Sequence, residues 1–313
     1  PPRSTLFPYT TLFRSDYGDI FGQAYHAGVR VHSNSWGSSS GGQYTTEASE
    51  VDRFLYDNED FSLFFAAGNS GPFTGTIDSP ASAKNCVAVG SVVSGSIGSD
   101  AVSDFSSRGP AADGRIKPDI MAPGESIVSA SGTISSSDRN CGFKWLSGTS
   151  MATPTAAGGA VLLRNYFTEG FYPRGEADQA DSFSPSSSLI KAALIAGAMD
   201  VGGANIPNVM EGWGRVNLDR FAFFRNDDRD TLRPAAYDVR NEAGLTDGEE
   251  MVFEVALNHA GPLKIVLVWL DPEGTPMSSK ALVNDLDLEA ASPSGEIFRG
   301  NNFVQGTSVS GGQ

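Results

Sequence analysis

Ser150 stands in the run Ser147-Gly148-Thr149-Ser150-Met151-Ala152-Thr153-Pro154, followed by Thr155-Ala156-Ala157-Gly158-Gly159-Ala160. A glycine-bearing loop that enters a helix of small residues puts a hydroxyl at a helix N-terminus. Unpaired backbone N–H groups and the positive dipole end are available there to an anionic tetrahedral intermediate, so the chemistry on offer is attack on a carbonyl carbon. Pro154 suits a first helical turn, where a missing N–H costs little. A serine ahead of a helix otherwise serves as a cap. A second segment favours chemistry over capping: Phe65-Ala66-Ala67-Gly68-Asn69-Ser70-Gly71-Pro72. It places Asn69 where an apolar run ends, and the carboxamide can donate an N–H to a developing oxyanion. An isolated Asn in a Gly/Pro loop is a turn former. A third segment, His32-Ser33-Asn34-Ser35-Trp36-Gly37, ends another run with strand character.

The elements that must position these residues follow a βα alternation from Asp16. Residues 20–28 read as a short helix ended by Gly28, and residues 29–32 as a strand. Residues 47–58 place Val51, Phe54 and Leu55 on one helical face. Residues 61–67 are nearly continuously apolar, the pattern of a strand buried on both faces of a parallel sheet. Residues 86–90 and 127–130 read as further short strands, and helices are expected over about 149–167 and 188–198. The fold class is therefore α/β, a mostly parallel sheet flanked by helices. After about Phe224 the pattern changes. A polar connector, residues 226–230, leads to Met251, Phe253, Val255 and Leu257 in period two. Strands are expected over 264–270 and 282–290, and Pro293-Ser294-Gly295 turns the chain into residues 296–299. This is a partial all-β second domain.

Together these segments resemble the subtilisin-like serine proteases, the subtilases. Residues 148–154 match the family's nucleophile motif, Ala67-Gly68-Asn69 with Gly71-Pro72 its oxyanion-asparagine motif, and Ser35-Trp36-Gly37 its substrate-pairing segment. Phe105-Ser106-Ser107-Arg108-Gly109-Pro110 and Lys117-Pro118-Asp119-Ile120-Met121-Ala122-Pro123-Gly124 are similar to two further family blocks. The β region, through residues 267–272, 281–288 and Gly300-Asn301, is similar to a subgroup of oxidation-resistant alkaline proteases with a C-terminal β-barrel or jelly-roll domain. The domain organisation expected is a catalytic domain over 16–225 and a partial β domain over 226–313. The resemblance implies that Ser150 attacks a peptide carbonyl and that Asn69 Nδ2 and the Ser150 N–H hold the oxyanion. It also implies that Ser35, Trp36, Gly37, Ala66, Ala67 and Gly68 flank the substrate side chain before the scissile bond. Protein or peptide substrates, no cofactor for the chemistry, secretion and a monomer are the accompanying expectations.

One departure stands out. Subtilases run Asp, His, Ser along the chain, yet the three histidines here, His26, His32 and His259, all lack the family's His-Gly-Thr-His-like context. Asp16-Tyr17-Gly18 is superficially similar to the family's Asp-x-Gly strand, but no such histidine block follows it. Residues 1–15 repeat Thr-Leu-Phe, carry prolines at 1, 2 and 8, and lack the apolar core of a signal peptide. They read as adapter-derived sequence joined to a truncated gene, with truncation expected at the C-terminus too. The polypeptide is then expected to be inactive as it stands, the nucleophile half of a protease. Two alternatives compete. An α/β-hydrolase using Ser150 and His259 would want Gly-x-Ser-x-Gly, whereas the last position here is Ala152. A non-catalytic subtilase fold serving as a binding module meets no such objection.

Composition narrows the remaining classes. The 313 residues are long enough for two domains at roughly 100–200 residues each. Against 37 Asp+Glu there are 22 Lys+Arg, a net charge of −15 that repels phosphate backbones and argues against a nucleic-acid partner. No stretch approaches the roughly 18 uninterrupted apolar residues of a membrane span. Of the two cysteines, Cys86 reads as a small core residue and Cys141 as its only possible pairing partner. Met151, beside the nucleophile, would place a polar sulfoxide there if oxidised. Asp271, Asn284, Asp285 and Asp287 are hard oxygen donors on adjacent β segments, and relatives with this domain bind calcium, which makes a structural calcium site one expectation and solvated turn carboxylates the other. Small residues at Ala66, Ala67 and Gly68 predict an open pocket for a large apolar or aromatic side chain.

Overall fold

A computed structural model describes residues 17–94, 101–132, 142–201, 205–225, 233–257, 261 and 263–311. In chain order its elements begin with α1 (Tyr17–His26), β1 (Val31–Asn34), β2 (Ser38–Ser39), α2 (Thr46–Asp57), β3 (Ser62–Ala66), β4 (Asp78–Ser79), β5 (Val87–Val93) and β6 (Ile120–Glu125). They continue through β7 (Ile127–Ser131), β8 (Gly142–Leu146), α3 (Thr149–Thr168), α4 (Ser187–Gly197), β9 (Glu289–Ala291), β10 (Ile297–Val304) and β11 (Thr307–Ser310).

Four strands make the central sheet in the order β1-β3-β5-β6, all parallel. Every residue of β3 is buried, because the strand is covered on both faces, and that is why its sequence is continuously apolar rather than alternating. Phe64, Val87, Val89, Ile120 and Ala122 face α3 and α4, meeting Ala152, Ala156, Ala160, Leu163 and Leu194. Leu63, Phe65, Ala88 and Cys86 face α1 and α2, meeting Phe21, Val51 and Leu55. Alanines along the buried side of α3 let it lie close to the strands. Local signals set the helix starts: Thr45 Oγ1 accepts from the Ala48 N–H at 3.3 Å ahead of α2, and Ser186 Oγ from the Leu189 N–H at 3.0 Å ahead of α4.

The expected α/β class is what the chain adopts, with differences in detail. Helix α1 begins at Tyr17, and β1 lies two residues further along than the apolar pattern marks. Strand β6 was hidden by Pro123 and Gly124, which break the apolar run; Gly124 is there because α3 crosses it, and a Cβ would sit 2.8 Å from both Ala152 Cβ and Gly148 O. Residues 127–130 do form a strand, but β7 pairs antiparallel with β8 in a separate exposed hairpin.

Beyond residue 233 the ordered pairing is a three-stranded antiparallel sheet, β11-β10-β9. Residues 251–257, expected to alternate in and out, are exposed throughout and join no ladder among the described residues. Residues 263–270 keep their alternation without a strand partner. Val266 and Val268 pack against the α3–α4 core while Ile265 and Leu267 are exposed. Of the expected strand 282–290, only the end enters a ladder, as β9. The segment around Asp271 to Asn284 docks on the α/β layer. Lys84 Nζ donates to Asp271 Oδ2 at 2.5 Å, to Pro272 O at 2.5 Å and to Ala281 O at 2.9 Å. No helix among the described residues is long and apolar enough to cross a membrane.

Candidate active site

Strands β1 and β3 are parallel neighbours, so both release their chains at the same sheet edge, the edge where open α/β sheets place ligands. Ser35, Trp36 and Gly37 follow β1, and Ala67, Gly68 and Asn69 follow β3. Helix α3 brings its N-terminus to this edge, held by the Gly148 N–H to Gly124 O at 2.8 Å. Gly148 is the N-cap, at φ +156° and ψ 157°, and no side chain caps the helix. Ser150 is therefore the second helical residue, not a capping residue. Its hydroxyl donates to Ser35 O at 3.4 Å, and its N–H is one of the leading donors with no acceptor inside the helix.

Asn69 is oriented by a residue that the sequence patterns did not single out. Thr149 donates twice to Asn69 Oδ1, from its N–H at 2.8 Å and its Oγ1 at 3.0 Å. Two donors on one atom identify it as the carbonyl oxygen of the carboxamide. Nδ2, the donor of the same carboxamide, has no hydrogen-bond partner among the described residues. The visible signal was the threonine between Gly148 and Ser150, whose side-chain and main-chain donors point the same way at a helix start.

Pro154 is not in the first turn, as expected, but six positions past the cap inside α3. The reason it is tolerated lies across the cleft. A proline withholds the N–H that would bond the carbonyl four residues earlier, which is Ser150 O. Ser35 Oγ donates to that carbonyl at 2.7 Å. The Ser35–Gly37 segment and the Ser150 peptide unit are thereby tied together, with Ser150 Oγ returning a bond to Ser35 O.

The remaining candidates distribute as follows. Ala67 is fully buried in the α1–α2 core, and Ala66 is buried too. Gly68, at φ +112°, backs onto Asp78: a Cβ there would sit 2.6 Å from Asp78 Oδ2. Trp36 is 41% exposed, with its ring against Phe65 and Tyr17 at centroid distances of 5.2 and 5.3 Å. His32 lies between the rings of Phe21 and Phe61 on the α1–α2 face, opposite α3; burial pushes its pKa down. His26 Nδ1 lies 2.6 Å from Gly22 O within α1. Among the described residues, no histidine is hydrogen-bonded to Ser150. Asp16 and His259 lie outside the described residues, as do residues 1–15, the connector 226–230 and Cys141.

Cys86 is buried, its Sγ surrounded by the carbonyls of Pro80, Ala81 and Ala83, and burial pushes its thiol pKa up to about 11, as fits a core residue. Met151 is half-buried. The four donors considered for calcium have these surroundings. Asp271 is buried and accepts from Lys84 Nζ and from the Val283 and Asn284 N–H groups. Asp285 pairs with Lys280 at 3.2 Å, and Asp287 is exposed. Among the described residues, no three His, Cys, Asp or Glu side chains are placed to hold a metal ion.

Fold and site define an α/β protein with a serine at a helix N-terminus and an aligned carboxamide beside it. The subtilase family model matches residues 11–214, and the chain belongs to that family. Among its relatives is the serine protease/ABC transporter B family protein tagD of Dictyostelium discoideum, 27% identical over 92% of this chain and 22% of that protein. The serine protease AprX of Bacillus subtilis is 44% identical over 31% of this chain and 24% of its own. Membrane-bound transcription factor site-1 protease of Mus musculus is 34% identical over 50% of this chain and 13% of its own. Of solved structures, sphericase aligns over 63% of this chain and 60% of its own at 27% identity with a TM-score of 0.46. The chain spans 16% to 22% of the length of the three tag proteins it matches.

Proposed function

We propose that Ser150 is the nucleophile of a serine endopeptidase, with Asn69 Nδ2 and the Ser150 N–H as its oxyanion donors. The observation that carries this reading is the pair of hydrogen bonds from Thr149 to Asn69 Oδ1, which holds the carboxamide at the start of the helix that carries Ser150 and leaves its Nδ2 to donate. A turn-forming asparagine would bond its own neighbouring backbone instead. Ser150 Oγ attacks the carbonyl carbon of an extended peptide lying between the Ser35–Gly37 and Ala66–Gly68 backbones. The carbonyl electrons move to oxygen, where the two N–H donors receive them. Collapse expels the amine and leaves an acyl-serine for water to hydrolyse. The proton must pass through a base, and the family template assigns this to a histidine held by an aspartate. His26 lies against Gly22 O within α1 and His32 packs between the rings of Phe21 and Phe61, so the described residues hold the nucleophile and oxyanion side of this reaction.

That division favours, as a second reading, a subtilase fold that binds extended peptides without cleaving them. A fluorophosphonate probe separates the two. Protein purified from its source is expected to carry one adduct on Ser150 by mass spectrometry, lost in Ser150→Ala, while the 313-residue chain alone stays at the background of an unactivated serine. An unlabelled Ser150 in the source protein would move the conclusion to binding. Work outside the cell belongs to the same reading, supported by the net charge of −15 and checked by recovering the protein from culture medium rather than from the cell fraction.

A further inference from the structure

The segment Phe105-Ser106-Ser107-Arg108-Gly109 runs beside the loop that carries Asn69, and its two serines bond in different directions. Ser106 Oγ accepts from the Ser91 N–H of β5 at 3.0 Å, which ties the segment to the central sheet. Ser107 bonds the Asn69 loop on both sides of that residue. Its N–H donates to Gly68 O at 2.9 Å, and its Oγ accepts from the Ser70 N–H at 3.1 Å. The peptide units before and after Asn69 are thus held by a single residue 38 positions further along the chain.

Both serines are fully buried, so each hydroxyl has given up water for the bond it makes here. The contact continues along the loop. The Gly71 N–H donates to Phe105 O, the Gly75 N–H to Gly109 O and the Thr76 N–H to Arg108 O, each at 2.9 Å. In return the Arg108 N–H donates to Thr76 Oγ1 at 3.0 Å. Two glycines permit so close an approach. A Cβ on Gly68 would sit 2.6 Å from Ser107 Oγ, and one on Gly71 would collide with Ser106 O and Asp104 O. The same glycines have a cost, since a loop built on them has many backbone conformations open to it. Thr149 fixes the Asn69 carboxamide, but its two bonds end on the side chain. The main chain on either side depends on Ser107.

We propose that Ser107 is a positioning residue for the oxyanion site: it clamps the backbone around Asn69 so that Nδ2 is in place before charge develops. A donor contributes to the rate only when it needs no reorganisation at the moment of reaction. Ser107 acts through Asn69 and is itself hydrogen-bonded to Gly68 and Ser70. The catalytic consequence rests on the peptidase reading, whereas the backbone restraint does not.

The restraint is tested by hydrogen exchange in the 313-residue chain. Ser107→Ala is expected to speed exchange at the Ser70 amide about 3- to 10-fold and to leave the Gly75 amide unchanged. Ser103→Ala removes an equally buried hydroxyl, one that bonds Ser91 Oγ, and is expected to change neither. A Ser70 amide that exchanges freely in the unmutated chain, or at the same rate in Ser107→Ala, overturns the proposal; the first needs no variant to fold. The catalytic consequence is tested in the source protein with a peptide substrate. Ser107→Ala is expected to lower kcat about 3- to 10-fold at unchanged KM, the pattern of an interaction made only in the transition state. Asn69→Ala is expected to cost about 100- to 1000-fold, and adding Ser107→Ala to it nothing further. An unchanged kcat in Ser107→Ala, or the same loss on top of Asn69→Ala, sinks the positioning role and leaves the peptidase standing. An unlabelled Ser150 sinks the peptidase and the catalytic consequence together, and the Ser70 amide then decides the restraint alone.

Discussion

The exchange between Ser35 and Ser150 shows how one missing hydrogen bond organises a site. Pro154 cannot donate to Ser150 O, and Ser35 Oγ takes that acceptor at 2.7 Å, so two chain segments 115 residues apart are tied at Ser150. A direct consequence is measurable. Ser35→Ala is expected to cost about 0.5–1.5 kcal/mol in denaturant unfolding, the net value of a typical hydrogen bond. In a Pro154→Ala background the helix regains an N–H for the same carbonyl, and the cost of Ser35→Ala is expected to shrink. A double-mutant cycle reads the coupling directly. Two additive mutations would mean that the carbonyl does not depend on Ser35.

At the scale of elements, the sheet is pinned to α4 by buried charge. Asp119, just ahead of β6, accepts from Lys117 Nζ at 2.7 Å and the Ala88 N–H at 2.7 Å, and from Lys191 Nζ of α4 at 2.8 Å. Lys191 also donates to Cys86 O at 2.9 Å, next to β5. Burial by itself would raise the Asp119 pKa, but the two ammonium groups override it and hold it below the ordinary value. A depressed native pKa means that the unfolded chain takes up its proton first as pH falls. The contribution of Asp119 is therefore complete above the ordinary aspartate range and is lost as pH drops through the depressed native value. Asp119→Asn leaves two buried ammonium groups without a counter-charge and is expected to destabilise by about 3–5 kcal/mol. Urea unfolding at neutral pH measures that loss. The difference from the unmutated chain is expected to narrow on acidification; a constant difference down to pH 2 would place the stabilisation elsewhere.

For the whole molecule, the question is how the region after residue 233 is joined to the α/β layer. The junction is polar and buried. Lys84 and Asp271 are 5% and 2% exposed at their side chains. Asn85 exchanges two bonds with the Asp271 backbone, at 2.8 and 2.9 Å, and the Gly274 N–H donates to the Tyr44 hydroxyl at 3.0 Å. Lys84→Met strands the Asp271 carboxylate. Hydrogen exchange is expected to accelerate at the Val283 and Asn284 amides, both of which donate to it, by much more than in β3. Equal acceleration in both places would show that the two parts open as a single cooperative unit.

Reading the residues in order determined the parallel core, the two long helices, and the places of Ser150 at a helix start and Asn69 beyond a strand end. These depend on patterns a few residues long: the unbroken apolar run of 61–67 and the Gly-Thr-Ser turn into a helix. Strand β6 escaped because its proline and glycine answer to α3 lying across it, a contact that no local pattern records. The alternation of residues 251–257 was legible, but alternation only offers a face, and a strand also needs a neighbour. The same limit governs the site. Thr149 read only as part of the turn into a helix, whereas its N–H and hydroxyl both hold Asn69 Oδ1 across 80 residues of sequence. Sequence spacing selects which groups can react; the enclosure that strips water from a charge, and the choice of what faces it, arise from chain segments meeting in three dimensions.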